Sequence, residues 1–322
     1  MKIIALLAFK NEEVFLRNNL PQLSELCDVL LGHDDNSADK SGEIFTEYGG
    51  VLIPQSRSLD WANGGQFQVR NALLRIGREK GGTHFICLDA DEVFTSDVAK
   101  DLRDQIAELS PGSALCLKWI NCWTDPANEK FAYDPKAVIY KDFVFADADG
   151  LEIPFGLIHF SRTPTTESSH VRSASEGGVL HLQNYNYENF VAKQLWYQLS
   201  EIMFNNYPYF YVEHKYLYFT KRPDNLVSIE PHWIEGMPLL KSETKLSVYW
   251  RLEILKVLNQ IKDLNVQYLE LWENPFLGEI YNEFYGVRPA VKTPLRIAYD
   301  RARLTLFVLR SRVANWRSQN FK

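Results

Sequence analysis

The sequence predicts an α/β protein with a largely parallel sheet in its first half and mainly helical structure near its end. Up to about residue 120, short apolar runs alternate with amphipathic stretches, which is typical of a sheet with crossover helices. After about residue 185 the spacing of apolar residues becomes helical. With 322 residues, of which 46% are hydrophobic, the chain is long enough to bury a sizeable core.

Each element follows from the local pattern of apolar residues. The predicted strands are the short apolar runs 3–9, 28–32, 50–53, 84–88 and 114–120. Helices are predicted where apolar residues recur every three or four positions, over 12–26, 66–80 and 242–263. The sequence shows no internal repeat and no low-complexity linker, so it sets no sharp domain boundary.

Cysteine use and charge restrict the class of protein. The cysteines lack the spacing of metal ligands and are predicted to be reduced, which favours a cytoplasmic protein; they are Cys27, Cys87, Cys116 and Cys122. No apolar run approaches the roughly 18 to 20 residues that span a bilayer. The net charge is −6, yet 288–322 holds nine basic residues and one acid, so the rest of the chain is strongly acidic. An acidic body argues against nucleic acid as a partner.

Three of the predicted strands run into acidic segments. These segments are 11–13, 33–39 and 89–92. Ligands of open α/β sheets bind beyond the carboxyl ends of the strands, so the three segments are expected to meet at one edge. Crowded carboxylates repel unless a cation or a donor-rich ligand lies among them. The pattern therefore predicts a site for a metal and a nucleotide.

The strongest candidate for the metal is Asp89-Ala90-Asp91, directly after an apolar run. Alternation points the two carboxylates the same way, toward a hard cation such as Mn²⁺ or Mg²⁺. Such a cation would act as a Lewis acid by neutralising the charge that builds on a departing diphosphate. A plain polar loop has the same sequence, and a second such string, Asp147-Ala148-Asp149, is interpreted as a solvated loop.

The order of these motifs resembles family 2 glycosyltransferases, which have the GT-A fold. The resemblance covers roughly 1–120 and rests on four segments, which are Leu-Leu-Ala-Phe-Lys-Asn-Glu-Glu (6–13), Asp-Asp-Asn-Ser-Ala-Asp (34–39), Arg-Asn-Ala (70–72) and Leu-Asp-Ala-Asp-Glu (88–92). Further on, 179–183 and 193–197 are similar only to looser bacterial members, which commonly build cell-surface polysaccharides or lipopolysaccharide cores.

The resemblance implies roles for individual residues of the donor site. Residues that would line the nucleoside pocket are Ala8, Phe9 and Glu12. Asp35 would contact the uracil or ribose, and the departure from the family's usual Gly at Asn36 is mild because Asn tolerates left-handed turns. Arg70 would bind the diphosphate, with an exposed helical arginine as the alternative. Asp89 would contact both the nucleotide-sugar donor and the metal.

Two roles further along the chain are less closely defined. His181 would be the third metal ligand after Asp89 and Asp91, although a lone histidine among apolar residues is often a hydrogen-bonded core residue. Glu176, before two glycines that would let it swing, is the candidate general base for the acceptor hydroxyl, alongside Asp91 as the second catalytic residue. Glu152 and Asp125 stay open as alternative bases. Aromatic side chains that would stack on a sugar acceptor are Trp119, Trp123 and Tyr133.

The sequence as a whole is interpreted as a GT-A (Rossmann-like) core with a mainly helical C-terminal extension. Residues 1–125 would bind the nucleotide sugar, 126–240 would bind the acceptor and complete the active site, and 241–322 would be helical. The expected activity is the metal-dependent, inverting transfer of a hexose from a UDP-sugar to a saccharide or lipid-linked acceptor. The alternatives are a sugar nucleotidyltransferase, although the glycine-rich triphosphate loop is missing, and a non-catalytic carbohydrate- or lipid-binding protein.

The basic tail is predicted to contain an amphipathic helix over 295–317. Its apolar stripe would be Leu295, Tyr299, Ala302, Leu306, Leu309, Val313 and Trp316. Arginines on both flanks of the stripe, at 296, 303, 310 and 317 and at 301 and 312, are typical of a helix that lies on an anionic membrane. The alternative is a helix docked on the acidic body of the protein.

Overall fold

A computed structural model gives the fold. It describes residues 1–54, 65–124, 130–148, 150–154, 161–164, 170–205, 207–220, 222–237 and 248–320. Two residues considered in the sequence analysis, Asp125 and Asp149, lie outside these residues. The chain forms two compact units.

Unit 1 comprises Met1–Tyr185 and Asn225–Ser242 and contains the sheet. Its strands are β1 (Ile3–Phe9), β2 (Val29–Asp34), β3 (Val51–Leu52), β4 (His84–Cys87), β5 (Glu92–Phe94), β6 (Ala114–Thr124), β7 (Phe131–Tyr133), β8 (Ile139–Ala146), β9 (His170–Arg172), β10 (Gly178–Asn184) and β11 (Val227–Ser228). Its helices are α1 (Glu13–Leu26), α2 (Ser41–Glu47), α3 (Gly65–Glu79) and α4 (Ser96–Ala107). All five strands predicted from the apolar runs are present.

Strands β3, β2, β1 and β4 lie side by side and are parallel. This order is the Rossmann-like half of an α/β sheet, in which the switch point lies beside β1. The predicted fold class, an α/β core with a largely parallel sheet, is confirmed.

Helices cover both faces of the parallel half, and alternation along the strands assigns each side chain to a face. On one face, Leu7 and Phe9 of β1 pack with apolar residues of α1, α2 and α4. On the other, Leu6 of β1 and Cys87 of β4 pack with Val69 and other residues of α3. We call these the α1 face and the α3 face. Because both faces are buried, the strands are mainly apolar, as expected for parallel strands.

Antiparallel strands extend the sheet beyond β4. Strand β8 pairs antiparallel with both β4 and β6, and β10 lies parallel to β6 and antiparallel to the short β5. In this register His181 of β10 is opposite Asn121 of β6 and Glu92 of β5. The pairing returns residues near position 180 to the segment that follows β4.

Unit 2 comprises Asn186–Asp224 and Glu243–Lys322, and its regular structure in the described residues is helical. It contains α5 (Tyr187–Asn205), α6 (Tyr209–Thr220), α7 (Val248–Leu258), α8 (Pro275–Tyr285) and α9 (Pro294–Asn320). A mainly helical C-terminal part was predicted and is confirmed. In the described part of the chain, no helix combines the length and apolar character needed to cross a membrane. The division of roles among 1–125, 126–240 and 241–322 stays a prediction.

Candidate active site

The candidate site begins at the carboxyl ends of β2, β1 and β4, on the α3 face. Ala8 of β1 is paired in register with His33 of β2, and the register of β1 with β4 carries the row on to Asp89. Arg70 of α3 reaches the same place, because its Nη2 donates to Asp89 Oδ1 at 2.7 Å. Three of the predicted donor-site residues, Ala8, Arg70 and Asp89, are therefore brought together.

Asp35 lies at the same edge, immediately after β2. It is 7% exposed, its backbone N–H donates to the Phe9 carbonyl at 2.9 Å, and Lys10 Nζ is 3.3 Å from its Oδ2. The chain turns at Asn36, whose φ of 55° is left-handed. Asparagine tolerates this conformation at low cost, so it replaces glycine here, as the sequence indicated.

The other two residues predicted to line the nucleoside pocket are Phe9 and Glu12, and they have different surroundings. Phe9 points to the α1 face, where its ring is 5.2 Å from that of Phe45, so its side chain belongs to the core. Glu12 is half-buried at the start of α1, where its backbone N–H donates to Ser41 Oγ at 2.8 Å. Only the backbone of Phe9 takes part in the edge described above.

Buried side chains hold the turn that carries Asp89 and Asp91. Asn19 of α1 is 1% exposed, and its Nδ2 donates to the carbonyls of Ala90 at 3.0 Å and Glu92 at 3.3 Å. Glu92 is fully buried, and its Oε2 accepts the Asp89 N–H at 2.8 Å. These bonds fix the backbone that aims the two aspartates.

Asp89 is held between two arginines. Its Oδ1 accepts from Arg70, and its Oδ2 is 2.8 Å from Nη2 of Arg162, which also pairs with Glu92. Burial raises the pKa of Asp89, but the guanidinium groups of Arg162 and Arg70 outweigh this effect and lower it to about 2. Asp89 is therefore a permanent anion at neutral pH, neutralised by protein cations.

Asp91 faces His181, which β10 returns to this turn. The Asp91 Oδ2 and His181 Nε2 atoms are 3.5 Å apart, and both side chains are buried. The Leu182 N–H donates to the Asp91 carbonyl at 2.7 Å, which joins the backbones. On its other side, His181 Nδ1 is 2.8 Å from Asn121 Oδ1. The structure thus brings together two of the three predicted metal ligands as a close pair.

The chemistry of this pair fits a divalent cation. When His181 Nδ1–H donates to Asn121, the lone pair of the neutral ring at Nε2 faces a carboxylate oxygen, and two acceptors in contact favour a cation between them. The described residues contain no group of three or more His, Cys, Asp or Glu side chains arranged for a metal. Mg²⁺-type ions usually complete their shell with substrate phosphates and water, so two protein ligands suffice. To bind the metal as well, Asp89 would first have to exchange its contact with one of the two arginines for the cation.

Trp119 and Lys141 extend the site over the sheet. The Trp119 ring stacks on His181 at a centroid distance of 4.5 Å, and its Nε1 donates to Glu92 Oε1 at 2.8 Å. Lys141 Nζ lies 3.1 Å from the centroid of the Trp119 ring. Burial, with a smaller effect from Arg162, lowers the pKa of Lys141 to about 8. Of the other predicted stacking residues, Trp123 is buried and Tyr133 packs near Trp233.

Glu176 is not brought to this cluster. It is exposed two residues before β10 begins, whereas His181 lies five residues further along the chain. At about 3.3 Å per residue, an extended strand separates them by roughly 16 Å. Glu152, the alternative base in unit 1, is also exposed. The assignment of the general base stays a prediction.

Sequence reasoning missed several residues of the site, namely Asn19, Asn121, Lys141 and Arg162. Arg162 follows Asp89 by more than 70 positions and lies in a segment without a motif, so nothing in the sequence indicated it. The string Asp147-Ala148 was interpreted as solvated, but Asp147 accepts from Arg78 Nε at 2.8 Å and Nη2 at 2.7 Å. That interpretation is wrong, because Arg78 of α3 pairs with this carboxylate.

No protein-family model matches the sequence, and no curated protein matches it. Solved structures resemble the fold. Staphylococcus aureus TarS is 12% identical with a TM-score of 0.38, and the alignment covers 88% of this chain and 52% of TarS. The chain thus spans about half the length of TarS. TarS 1–349 is 12% identical with a TM-score of 0.35, with 94% of this chain and 88% of that one covered.

A second resemblance is to glucosyl-3-phosphoglycerate synthase from Mycobacterium tuberculosis, solved with Mn²⁺, UDP and glucosyl-3-phosphoglycerate. It is 17% identical with a TM-score of 0.25, and the alignment covers 37% of this chain and 44% of the synthase. Similarity at this level concerns the fold and says nothing about the substrates of this chain.

Proposed function

We propose that this chain is a metal-dependent glycosyltransferase of the GT-A type, related to family 2, that transfers a hexose from a UDP-sugar. The observation that carries the proposal is the convergence at one sheet edge of Asp35, the arginine-paired Asp89 and the Asp91–His181 pair. A nucleoside diphosphate needs acceptors for its base and ribose, and cations for its phosphates. This edge supplies both.

The nucleoside would lie over Ala8 on the α3 face, with Asp35 accepting from an N–H of the base or from a ribose hydroxyl. Arg70 and Arg162 would lie beside the diphosphate, since both guanidinium groups are already oriented by Asp89. A planar fork that is held in place loses little entropy when it binds phosphate oxygens. Glu12 would contact the donor from the start of α1.

Asp91 and His181 would hold Mn²⁺ or Mg²⁺. When bound, the cation supplies a Lewis acid for the diphosphate that leaves the sugar. Trp119 holds the orientation of the His181 ring by stacking on it, and the contact of Asn121 with His181 Nδ1 fixes the tautomer of that ring. An acid of this chain would take the proton of the acceptor hydroxyl. The sequence indicated Glu176 for this role, but Glu176 is exposed and lies before β10, away from the Asp91–His181 pair.

The acceptor would be a saccharide or a lipid-linked saccharide, as in cell-surface glycan synthesis. The protein would work in the cytoplasm, and α9 would hold it at the inner face of the membrane. An inverting outcome follows if one base activates the acceptor for direct displacement.

The decisive experiment incubates the full chain with a panel of UDP-, GDP-, CDP- and ADP-sugars, with and without Mn²⁺. We expect release of UDP from a UDP-hexose only when a divalent cation is present. Asp91→Asn should abolish this turnover while the protein stays folded, and Asp147→Asn, in the second Asp-Ala-Asp string, should retain it. Turnover that survives EDTA would contradict the metal role, and release of pyrophosphate from UTP and a sugar phosphate would identify a nucleotidyltransferase.

A further inference from the structure

His33 of β2 is buried without a hydrogen-bond partner. The residue is 2% exposed, and neither ring nitrogen has a partner among the residues that the structure describes. Leaving a buried polar group unpaired costs about 1 to 3 kcal/mol, so such groups are rare unless they serve a purpose. An apolar β-branched residue would fill the same strand position without that cost.

The position of His33 connects it to the proposed donor site. His33 alternates with Leu31, which packs on the α3 face, and Ala8 is its paired neighbour on β1. Neighbouring strands are about 4.8 Å apart, so the row from His33 over Ala8 to Asp89 spans roughly 10 Å. Within the described strands, Ala8 is the neighbour of His33 in this row, and its side chain is a single methyl group.

The charge state of His33 is that of a neutral ring. Burial lowers its pKa, and this effect prevails over the opposing influence of Asp35 and Asp34. A neutral imidazole presents one N–H donor and one nitrogen acceptor. Asp35, two residues further along the same strand direction, presents only acceptors.

We propose that His33 is a specificity-determining residue that contacts the base of the donor nucleotide, an inference that rests on the proposed function. Asp35 accepts from an N–H of the base, and His33 donates to a carbonyl oxygen beside it. Uracil carries this pairing of N–H and carbonyl on one edge. Cytosine presents an unprotonated ring nitrogen there, which Asp35 cannot pair. Together the two residues select UDP over CDP.

The test compares His33→Val with His33→Asn, which keeps a donor and an acceptor. Binding of UDP and CDP, each with Mn²⁺, is measured by calorimetry on the full chain. We expect His33→Val to weaken UDP binding by about tenfold, the upper range for one hydrogen bond, and to reduce the UDP-over-CDP preference. His33→Asn should retain most of both. The matched control is His84→Val. His84 is the first residue of β4, at the end of the strand away from the proposed donor site, so this variant should bind UDP like the wild type.

Thermal unfolding of the unliganded variants supplies a second readout. Because valine removes two unpaired polar atoms from a buried strand, His33→Val should unfold at the same or a higher temperature than the wild type. A histidine with a merely structural role would instead lose stability when replaced.

The outcomes separate the two hypotheses. If the wild type binds UDP and His33→Val binds it equally well, or if His33→Val is destabilised, the inference about His33 is wrong and the proposed function stands. If the wild type binds no nucleoside diphosphate with or without Mn²⁺, the proposed function itself fails. The proposal is supported if His33→Asn keeps both the UDP affinity and the preference for UDP over CDP, whereas His33→Val loses both.

Discussion

At the scale of single residues, Asp89 has two consequences for the site. It orients Arg70 and Arg162, and it keeps the buried guanidinium of Arg70 paired. The Arg70 side chain is 7% exposed, so its ion pair with Asp89 is shielded from water far more than that of a surface arginine. The same carboxylate thus holds the two arginines that we propose as phosphate ligands, and it stabilises the fold.

Replacing Asp89 should therefore lower stability as well as activity. We expect Asp89→Ala to reduce the free energy of unfolding by about 3 kcal/mol, the low end for a broken buried pair, since Asp89 is itself partly exposed. Asp147→Ala, whose partner Arg78 is more exposed, should cost about 1 kcal/mol. Urea unfolding of both variants measures the difference. Equal losses would contradict the buried-pair interpretation.

The stabilisation by Asp89 should depend on pH only in acid. Its pKa is lowered to about 2 in the folded protein, against about 3.9 in an unfolded chain. The contribution is complete above the unfolded value and is lost as the pH falls through the folded value. The difference in stability between wild type and Asp89→Ala should be constant from about pH 5 to 8 and shrink below about pH 4. A difference that changes near neutrality would point to another group.

Asp35 provides the corresponding test of nucleoside binding. Asp35→Ala should weaken UDP binding by about 1 to 3 kcal/mol, the usual value for hydrogen bonds to a charged group. Asp28→Ala removes a carboxylate next to the opposite end of β2 and should leave UDP affinity unchanged. Calorimetry with UDP measures both. If Asp35→Ala binds UDP normally, the nucleoside lies elsewhere.

Single residues were predictable where a motif surrounds them. Asp35, Arg70, Asp89 and Asp91 follow apolar runs or lie on a periodic helix, so the sequence indicated where they would meet. Arg162 has no such context, because its partners Asp89 and Glu92 lie 70 or more positions earlier in the chain. Phe9 was assigned to the pocket, but alternation places it on the α1 face. A one-residue step in a strand reverses the face.

At the scale of elements, β10 places His181 and excludes Glu176 from the same cluster. The glycines that begin β10 are packing positions: a Cβ on Gly177 would lie 2.1 Å from Thr95 Oγ1, and one on Gly178 would lie 2.3 Å from the Lys118 carbonyl oxygen. Gly178 lets β10 approach β6 closely, and Gly177, just before the strand, lies against Thr95. Neither provides the hinge on which Glu176 was expected to swing.

The placement of β10 yields a prediction for the general base. Because Glu176 is exposed at the start of the strand, we expect Glu176→Gln to keep most of the transfer activity. Glu152→Gln, the other exposed acid, serves as the comparison. Transfer rates and donor KM are measured for both variants. Loss of transfer in Glu176→Gln with donor binding unchanged would instead assign the base role to Glu176.

The elements themselves were largely predictable because local patterns determine them. The strand predicted over 3–9 matches β1, and the helix predicted over 66–80 matches α3 within one residue at each end. The antiparallel extension was not predicted. Its strands pair with partners distant in sequence, and an apolar run does not specify which neighbour it will have.

At the scale of the whole molecule, most of the basic C-terminal segment that makes the charge of the sequence asymmetric forms helix α9. Within unit 2, Phe307 lies 4.7 Å from the Tyr211 ring, and Arg303 stacks on Phe210 at 4.7 Å. Arg296 donates to Tyr209. These residues dock α9 on α6, so two arginines predicted to flank a membrane surface instead contact protein.

The predicted apolar stripe of α9 is nevertheless exposed. Leu295 is 84% exposed, Leu306 55% and Leu309 52%, and Arg301 and Arg310 beside them are exposed as well. Side chains from 311 onward lie outside the described residues, including Val313 and Trp316. An exposed apolar stripe next to arginines favours an interfacial position on an anionic bilayer, where the stripe enters the acyl boundary and the arginines meet phosphates.

We expect the full chain to sediment with vesicles of anionic phospholipid and not with neutral vesicles. High salt should release it, because screening weakens the contacts between the arginines and the lipid phosphates. The double variant Leu306→Asn and Leu309→Asn should lose vesicle binding without unfolding, since both side chains are exposed. The control double variant Leu252→Asn and Leu264→Asn changes exposed leucines elsewhere in unit 2 and should still bind.

Truncation before Pro294 is a poor test, because it removes residues that pack on α6. Equal vesicle binding by both double variants would refute the membrane role of the stripe, and a change of oligomeric state in the Leu306/Leu309 variant alone would identify the stripe as a contact between protein chains.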